Sequence, residues 1–463
     1  MGTTACEDLR TASGTVKSRS GSSGYPASSS SAGGTPKLKM PMAIFDRGGL
    51  LPTILFVGPV VTSAIPTLAS PFFAILSIVL IGTALRRGIR WRDLLPREPA
   101  MAVCVLLAVY VFVNATWSAN PALGLRKAAV LASLVFLGFA AVQAAAAWDR
   151  EALRRAGLFF AGGAFVGALF VLVELLTHGL MTRTVMNRIP LFYPSSPEHL
   201  HISHGQITAI DLDQLNRNVG LIIFNLWPGS LALSDLKGVV RTTANVLFFV
   251  MLAVVVMISD NLAAQLALLS SSVVVIAMRL WPQCVLRALA VAWCVSFVLV
   301  LPASFVAYQN ELHFTTWLPE TARQRVVIWE HTAEQVLRHP LLGVGIESTP
   351  TLRDRQTAIA APEQPEGFVF PRTLGSHAHN IFLQAWFELG AVGAFLLAIA
   401  GAAVVVLIPS LPASARPFAG GSFAAFAVVA AFSWGMWQMW FMSAIALLPL
   451  CLRISAAAVE NEQ

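Results

Sequence analysis

GSHAHNIFLQAWFELGAVGAFLLAIAGAAVVVLI, residues 375–408, decides the class of fold. From Ile381 to Ile408 its only ionisable side chain is Glu388. A membrane-crossing helix needs roughly 17–25 predominantly apolar residues, so the segment reads as a span entered just after a polar HAHN. The composition of the 463-residue chain agrees: 56% of residues are hydrophobic, 12% are charged, and the mean hydropathy is +0.69. Soluble domains carry about 25% charged residues. Too little polar surface is left to coat a globule, so the chain is an all-α polytopic membrane protein. Cytosolic enzymes, nucleic-acid-binding modules and disulfide-stapled secreted scaffolds are excluded as leading classes. The net charge of +7 implies no nucleic-acid partner, because the basic residues sit in particular loops. Cys6, Cys104, Cys284, Cys294 and Cys451 form no CxxC pair, so neither a zinc site nor a redox dithiol is suggested by them.

Working outward, apolar runs recur from Leu50. Twelve spans are expected, near 50–68, 70–85, 99–117, 128–147, 156–180, 218–234, 242–258, 262–278, 288–307, 381–408, 417–434 and 436–452. Residues 1–45, rich in Ser and Gly, are expected to be a disordered tail. The expected organisation is thus the tail 1–45, nine spans over 46–307, a large outer loop 308–380, three spans over 381–452 and a C-terminus at 453–463. With an inside N-terminus, loops 86–98, 148–155, 235–243, 279–287 and 409–417 are cytoplasmic and carry five, three, two, two and one Lys/Arg. The outer loops 118–127, 182–217 (one of two long ones, with 308–380) and 259–261 carry two, three and none. Positive residues favour the inside, so both termini are predicted there. Trp434, Trp437 and Trp440 fall at an outer turn, where an aromatic belt is expected. Within the long loop, RVVIWEHTAEQVLR (325–338) has the periodicity of an amphipathic helix lying near the membrane surface, with Glu334 and Arg338 at i, i+4.

Polar residues gather at the outer mouth of the span 381–408. Asn380 can cap the helix, whose free N–H groups favour an anion. His377 and His379 sit just before it, and Asn380, Gln384 and Glu388 follow at spacings of four, a polar stripe down one face. Two readings of the stripe stand side by side: groups lining a cavity, or a cap with Glu388 bonded to a neighbouring helix. Arg217, in NRN, and Arg323 and Arg325, in ARQR, lie on the same outer side. A single such arginine is ordinarily interfacial. Several sharing a face with imidazoles suit phosphate oxygens, which match the guanidinium fork.

Together, HxHNxxL…ELGxxG after a large loop, RxxIW and HPLLGVGIES resemble the O-antigen ligase and polymerase family, with the specific motifs in 217–220 and 323–393. The resemblance implies a GT-C-like membrane glycosyltransferase. Its donor would be O-antigen on undecaprenyl diphosphate, and in the ligase branch its acceptor the lipid A–core oligosaccharide, at the periplasmic face of the bacterial inner membrane. It implies no metal and no cofactor. By motif it implies His379 as general base with His377 supporting, and Arg325, Arg217, Arg323 and Asn380 around the diphosphate. The residue pattern alone leaves open which imidazole takes the proton.

The chemistry asks for the same groups. A sugar hydroxyl attacking C1 of a glycosyl diphosphate must lose a proton, a task for a neutral imidazole. The leaving diphosphate needs positive charge, which fixed arginines can supply in place of Mg²⁺. Direct in-line attack predicts inversion at C1. Elsewhere, HLHISH (199–204) brings together His199, His201 and His204, and DLD holds Asp211 and Asp213; both are expected to be loop rather than metal site, since no fixed-spacing ligand set is evident. Glu174 and His178 fit either a cavity or packing, and Asp260 reads as a turn residue. The competing functions are an O-antigen polymerase and, from another class, a transporter. A protein O-oligosaccharyltransferase is disfavoured by the short expected C-terminus, and a transporter by the lack of an inverted repeat.

Overall fold

Long apolar runs with polar breaks fold as helices, because in lipid every backbone group must be satisfied within its own segment. The computed structural model describes residues 49–95, 99–189, 199–359, 370 and 372–459. The expected tail 1–45 lies outside the described residues, as do the last four positions of the expected C-terminus. The apolar helices are α1 (Leu50–Ala64), α2 (Ala69–Arg86), α3 (Pro99–Asn114), α4 (Pro121–Ala146) and α5 (Arg150–Leu176). A short α6 (Leu180–Arg188) and a two-stranded antiparallel hairpin, β1 (Leu200–Ser203) and β2 (Gln206–Ile210), follow α5. Then come α7 (Asn216–Ala232), α8 (Gly238–Ile258), α9 (Leu262–Leu280) and α10 (Pro282–Gln309). The long loop contributes α11 (Glu320–Arg338) and α12 (Thr349–Ile359), and α13 (Ile381–Leu407), α14 (Arg416–Phe432) and α15 (Met439–Ala456) complete the chain.

Among the described residues, nine helices are long and apolar enough to cross a membrane, and α1 and α14 are shorter apolar helices. The chain is an all-α multi-pass membrane protein. Boundaries moved where caps decide them. Pro121 starts α4 after an Asn120 cap, seven residues before the predicted span, and Asp149 caps α5 six residues early. The helix predicted at 325–338 begins at Glu320.

One large apolar cluster joins α5, α7, α13, α14 and α15. α7 is its centre: every residue from Gly220 to Ala232 except Asn225 is buried. Two asparagines pin the N-terminal end of that helix. The Asn218 amide donates to the Ser63 carbonyl at the end of α1 (2.6 Å), and the Asn261 amide donates to the Asn216 carbonyl (3.0 Å). The three tryptophans expected as an interfacial belt are instead core: Trp434, Trp437 and Trp440 are only 9%, 3% and 4% exposed, and Trp434 meets Trp440 edge-to-face at 4.7 Å. The turn carrying them folds inward, where the Trp437 N–H donates to Glu388 and the Trp440 N–H to the Gln438 side chain (2.9 Å).

Candidate active site

The site is assembled where α13 begins. Asn380 caps that helix by accepting from the Leu383 N–H (3.1 Å). This occupies the side-chain oxygen in the helix itself. His379, immediately before the cap, takes a left-handed φ of +52°, a conformation His tolerates better than most residues. That turn brings its ring against His377, with centroids 4.0 Å apart. Trp329 on α11 holds the same loop by donating to the Ala378 carbonyl (2.7 Å).

The far side of the pair is the α14–α15 turn, which sequence reasoning missed. His379 Nδ1 lies 2.7 Å from the Ser433 carbonyl oxygen. A carbonyl only accepts, so Nδ1 carries the proton and the neutral ring presents Nε2 as its free lone pair. Gly435 lies directly beneath His377; a Cβ there would stand 2.9 Å from the His377 Cβ and Cγ. The available signal was SWGMW, where a glycine follows one indole directly and a second lies two residues on.

Both imidazoles are held neutral. Burial pushes His377 down to about 3, helped by His379, Arg325 and Arg217. Burial and Arg325 push His379 down to about 4, against a smaller upward pull from the Ser433 carbonyl. Desolvation also lowers Arg325, whose charge is thus costly in place and available to an anion. The structure therefore brings together Arg217 from α7, Arg325 from α11 and the two histidines, residues up to 162 positions apart. Arg323 points elsewhere: its guanidinium lies 6.0 Å from the Phe370 ring centre, and its Nε is buried without a hydrogen-bond partner among the described residues.

Gln384 and Glu388 are fully taken up by neighbours rather than facing open space, at 2% and 0% exposure. Gln384 accepts from the Met436 N–H (3.0 Å) and donates to Glu388 (3.3 Å). The Glu388 carboxylate also receives the N–H groups of Glu347 (3.2 Å) and Thr349 (3.1 Å), the Thr349 hydroxyl and the Trp437 indole. The stripe is a brace tying α13 to two loops. Lys127, which bridges Glu347 (3.2 Å) and the Trp437 carbonyl (2.7 Å), completes it. Glu334, predicted to pair with Arg338, sits on Arg372 (2.9 Å), which also grips Glu330.

The two glycine motifs explain each other. α13 breaks at Gly390 (φ +67°, ψ −170°), which frees the Phe387 and Glu388 carbonyls. They accept from Val344 (3.0 Å) and Gly345 (2.9 Å) of HPLLGVG, while Ala391 donates back to Pro340 (2.8 Å). A cavity of about 640 Å³ opens beside this junction, lined by Trp117, Gln335, His339, Arg355, Gln356 and Leu374 among others.

Sequence comparison bears on the same region. Residues 247–398 match the profile of the O-antigen ligase family. A protein named "Putative polysaccharide ligase" from Rickettsia conorii (strain ATCC VR-613 / Malish 7) is 22% identical over 306 residues, 66% of this chain and 67% of its own. One of the same name from Rickettsia felis (strain ATCC VR-1525 / URRWXCal2) is 22% identical over 298 residues, 63% and 64%. This chain thus spans about two thirds of the length of those relatives. The match takes in Arg325, His377 and His379, and by it residues 247–398 carry the domain of the O-antigen ligase family.

Proposed function

We propose that the protein transfers O-antigen polysaccharide from undecaprenyl diphosphate to a sugar hydroxyl of lipid A–core, at the periplasmic face of the bacterial inner membrane. The observation that carries this reading is the imidazole pair kept neutral by burial beside Arg217 and Arg325. His379 Nε2 accepts the proton of the acceptor hydroxyl while Ser433 holds Nδ1–H. The oxygen so activated forms the new bond to C1. The C1–O bond to diphosphate breaks with its electron pair going to undecaprenyl diphosphate, and the charge that develops there is met by the two arginines. Attack opposite the leaving group inverts C1. His377, in contact with His379, keeps that ring in place. The acceptor glycan suits the cavity beside Gly343, where Trp117 offers a stacking face and Gln335, Gln356 and Arg355 offer polar contacts. The ligase names of both relatives favour a polysaccharide donor. Twelve spans, both termini inside and a GT-C-like arrangement belong to this reading.

A polymerase would use the same chemistry with a second lipid-linked glycan as acceptor. A lipopolysaccharide gel on a deletion strain complemented with wild type or His379→Ala separates the two. Long polymer that accumulates off the lipid A–core, without rescue by the variant, is the ligase result. Single repeats still joined to core would instead identify a polymerase.

A further inference from the structure

The two motifs that carry no role above, HLHISH and DLD, form one cluster. Strand register is the reason. Leu200 pairs with Ile210 and His201 with Ala209, and the Asp211 N–H donates to the His199 carbonyl (3.1 Å). The next residues outward on the two strands, His199 and Asp211, therefore face each other. His201 follows His199 by two, on the same face of the strand. Asp213 closes over the open end from the short turn after β2.

The distances from His199 to the two carboxylates exceed those of hydrogen bonds. His199 Nδ1 stands 3.6 Å from Asp211 Oδ2 and 3.5 Å from Asp213 Oδ2. Hydrogen bonds to oxygen run at about 2.7–3.2 Å. Around a zinc ion with bonds of about 2.0–2.1 Å, tetrahedral geometry separates neighbouring donors by about 3.3–3.4 Å. One donor from each of the three residues falls within 4.8 Å of the others. The second oxygen of Asp211 is engaged by His201 Nε2 at 2.8 Å, as the outer partner of a ligating carboxylate is. The frame is fixed independently of any ion. Asn187 both donates to and accepts from the Ile207 backbone (2.9 Å each), and the Ile210 N–H donates to the His178 carbonyl (3.1 Å).

We propose that this outer hairpin binds one divalent transition-metal ion of the zinc class through His199, Asp211 and Asp213, with His201 orienting Asp211 and water completing the shell. A mixed nitrogen and oxygen set favours zinc over calcium or magnesium, which take oxygen ligands. The ion fastens a segment that reaches Arg217 four residues after Asp213, and the proposal does not depend on the transfer reaction proposed above.

The test is a zinc titration of the full-length, tag-free, metal-stripped protein in detergent against a competing chelator dye, with Co²⁺ in parallel. One equivalent of zinc should bind, and Co²⁺ should give the visible bands of a tetrahedral N/O site. His199→Ala and Asp211→Ala should abolish this equivalent, and His201→Ala should weaken it about 10–100-fold. His204→Ala, at the hairpin turn, should leave it intact. Zinc should also raise the melting midpoint of wild type but not of Asp213→Asn, a near-isosteric change that keeps the result readable if an alanine variant fails to fold. Zinc binding unaltered by His199→Ala and Asp211→Ala, no binding by wild type, or tighter binding of Ca²⁺ than of Zn²⁺ would each overturn the proposal.

Discussion

The carbonyl of Ser433 fixes what His379 can do. By accepting the Nδ1 proton it sets the tautomer, and with burial and Arg325 keeping the ring uncharged, Nε2 is a lone pair at neutral pH. The sign of the pH dependence follows. Protonation, which destroys the base, occurs only as pH falls through about 4. The kcat/KM for transfer should therefore stay flat across neutrality and drop in acid, because that profile reports free-enzyme groups. Recovery of the rate on return to pH 7 distinguishes titration from unfolding, and a midpoint at or above about 6.5, the ordinary imidazole value, would contradict this assignment. Arg325→Lys keeps a charge but loses the planar fork, so initial rates should fall about 10²-fold with the protein still folded; an unchanged rate would remove Arg325 from the diphosphate. The imidazoles, Arg217 and Arg325 stood out because HAHN, NRN and ARQR are chemical signatures, but the same signature also offered Arg323, which turns to Phe370. Ser433 and Gly435 were not, since they act through a carbonyl oxygen and a missing side chain, 54 and 58 residues downstream of His379 and His377.

Among elements, the break in α13 does the positioning. Gly390 occupies a backbone region open to glycine alone, and a Cβ there would collide with the Leu341 carbonyl. Gly390→Ala should cost at least about 1–3 kcal/mol from the backbone, seen as a lower melting midpoint in detergent; an unchanged midpoint would mean the kink is not needed. Both glycine motifs could be read in the sequence, but their pairing could not, because a bond between Gly345 and the Glu388 carbonyl leaves no trace in side-chain pattern. Equally hidden was the brace. Spacing of four put Gln384 and Glu388 on one face, which fits a cavity lining and a packed network alike, and only the inward fold of Trp437 and Met436 decided between them. The β hairpin escaped notice because its strands, LHIS and QITAI, are only four and five residues long, too short for their alternation of apolar and polar residues to stand out within a polar loop.

At the scale of the molecule, apolar length made the helices legible, and caps set their ends. Orientation rests on where the basic residues fall. It places His204 and Trp317 outside, so cysteines substituted there should react with a membrane-impermeant maleimide in intact spheroplasts. Cysteine at Lys237 should react only after lysis; the reverse pattern would turn the whole assignment over. The central claim, that a neutral His379 drives glycan transfer among arginines gathered from distant segments, is tested most directly by reconstitution. Purified wild type and His379→Ala would be given lipid-linked polysaccharide and lipid A–core in vesicles, and the joined product measured over time. Wild type should form product, and the variant should be slower by about 10²–10⁴-fold while melting normally. A variant that matches wild type would show that the proton goes elsewhere.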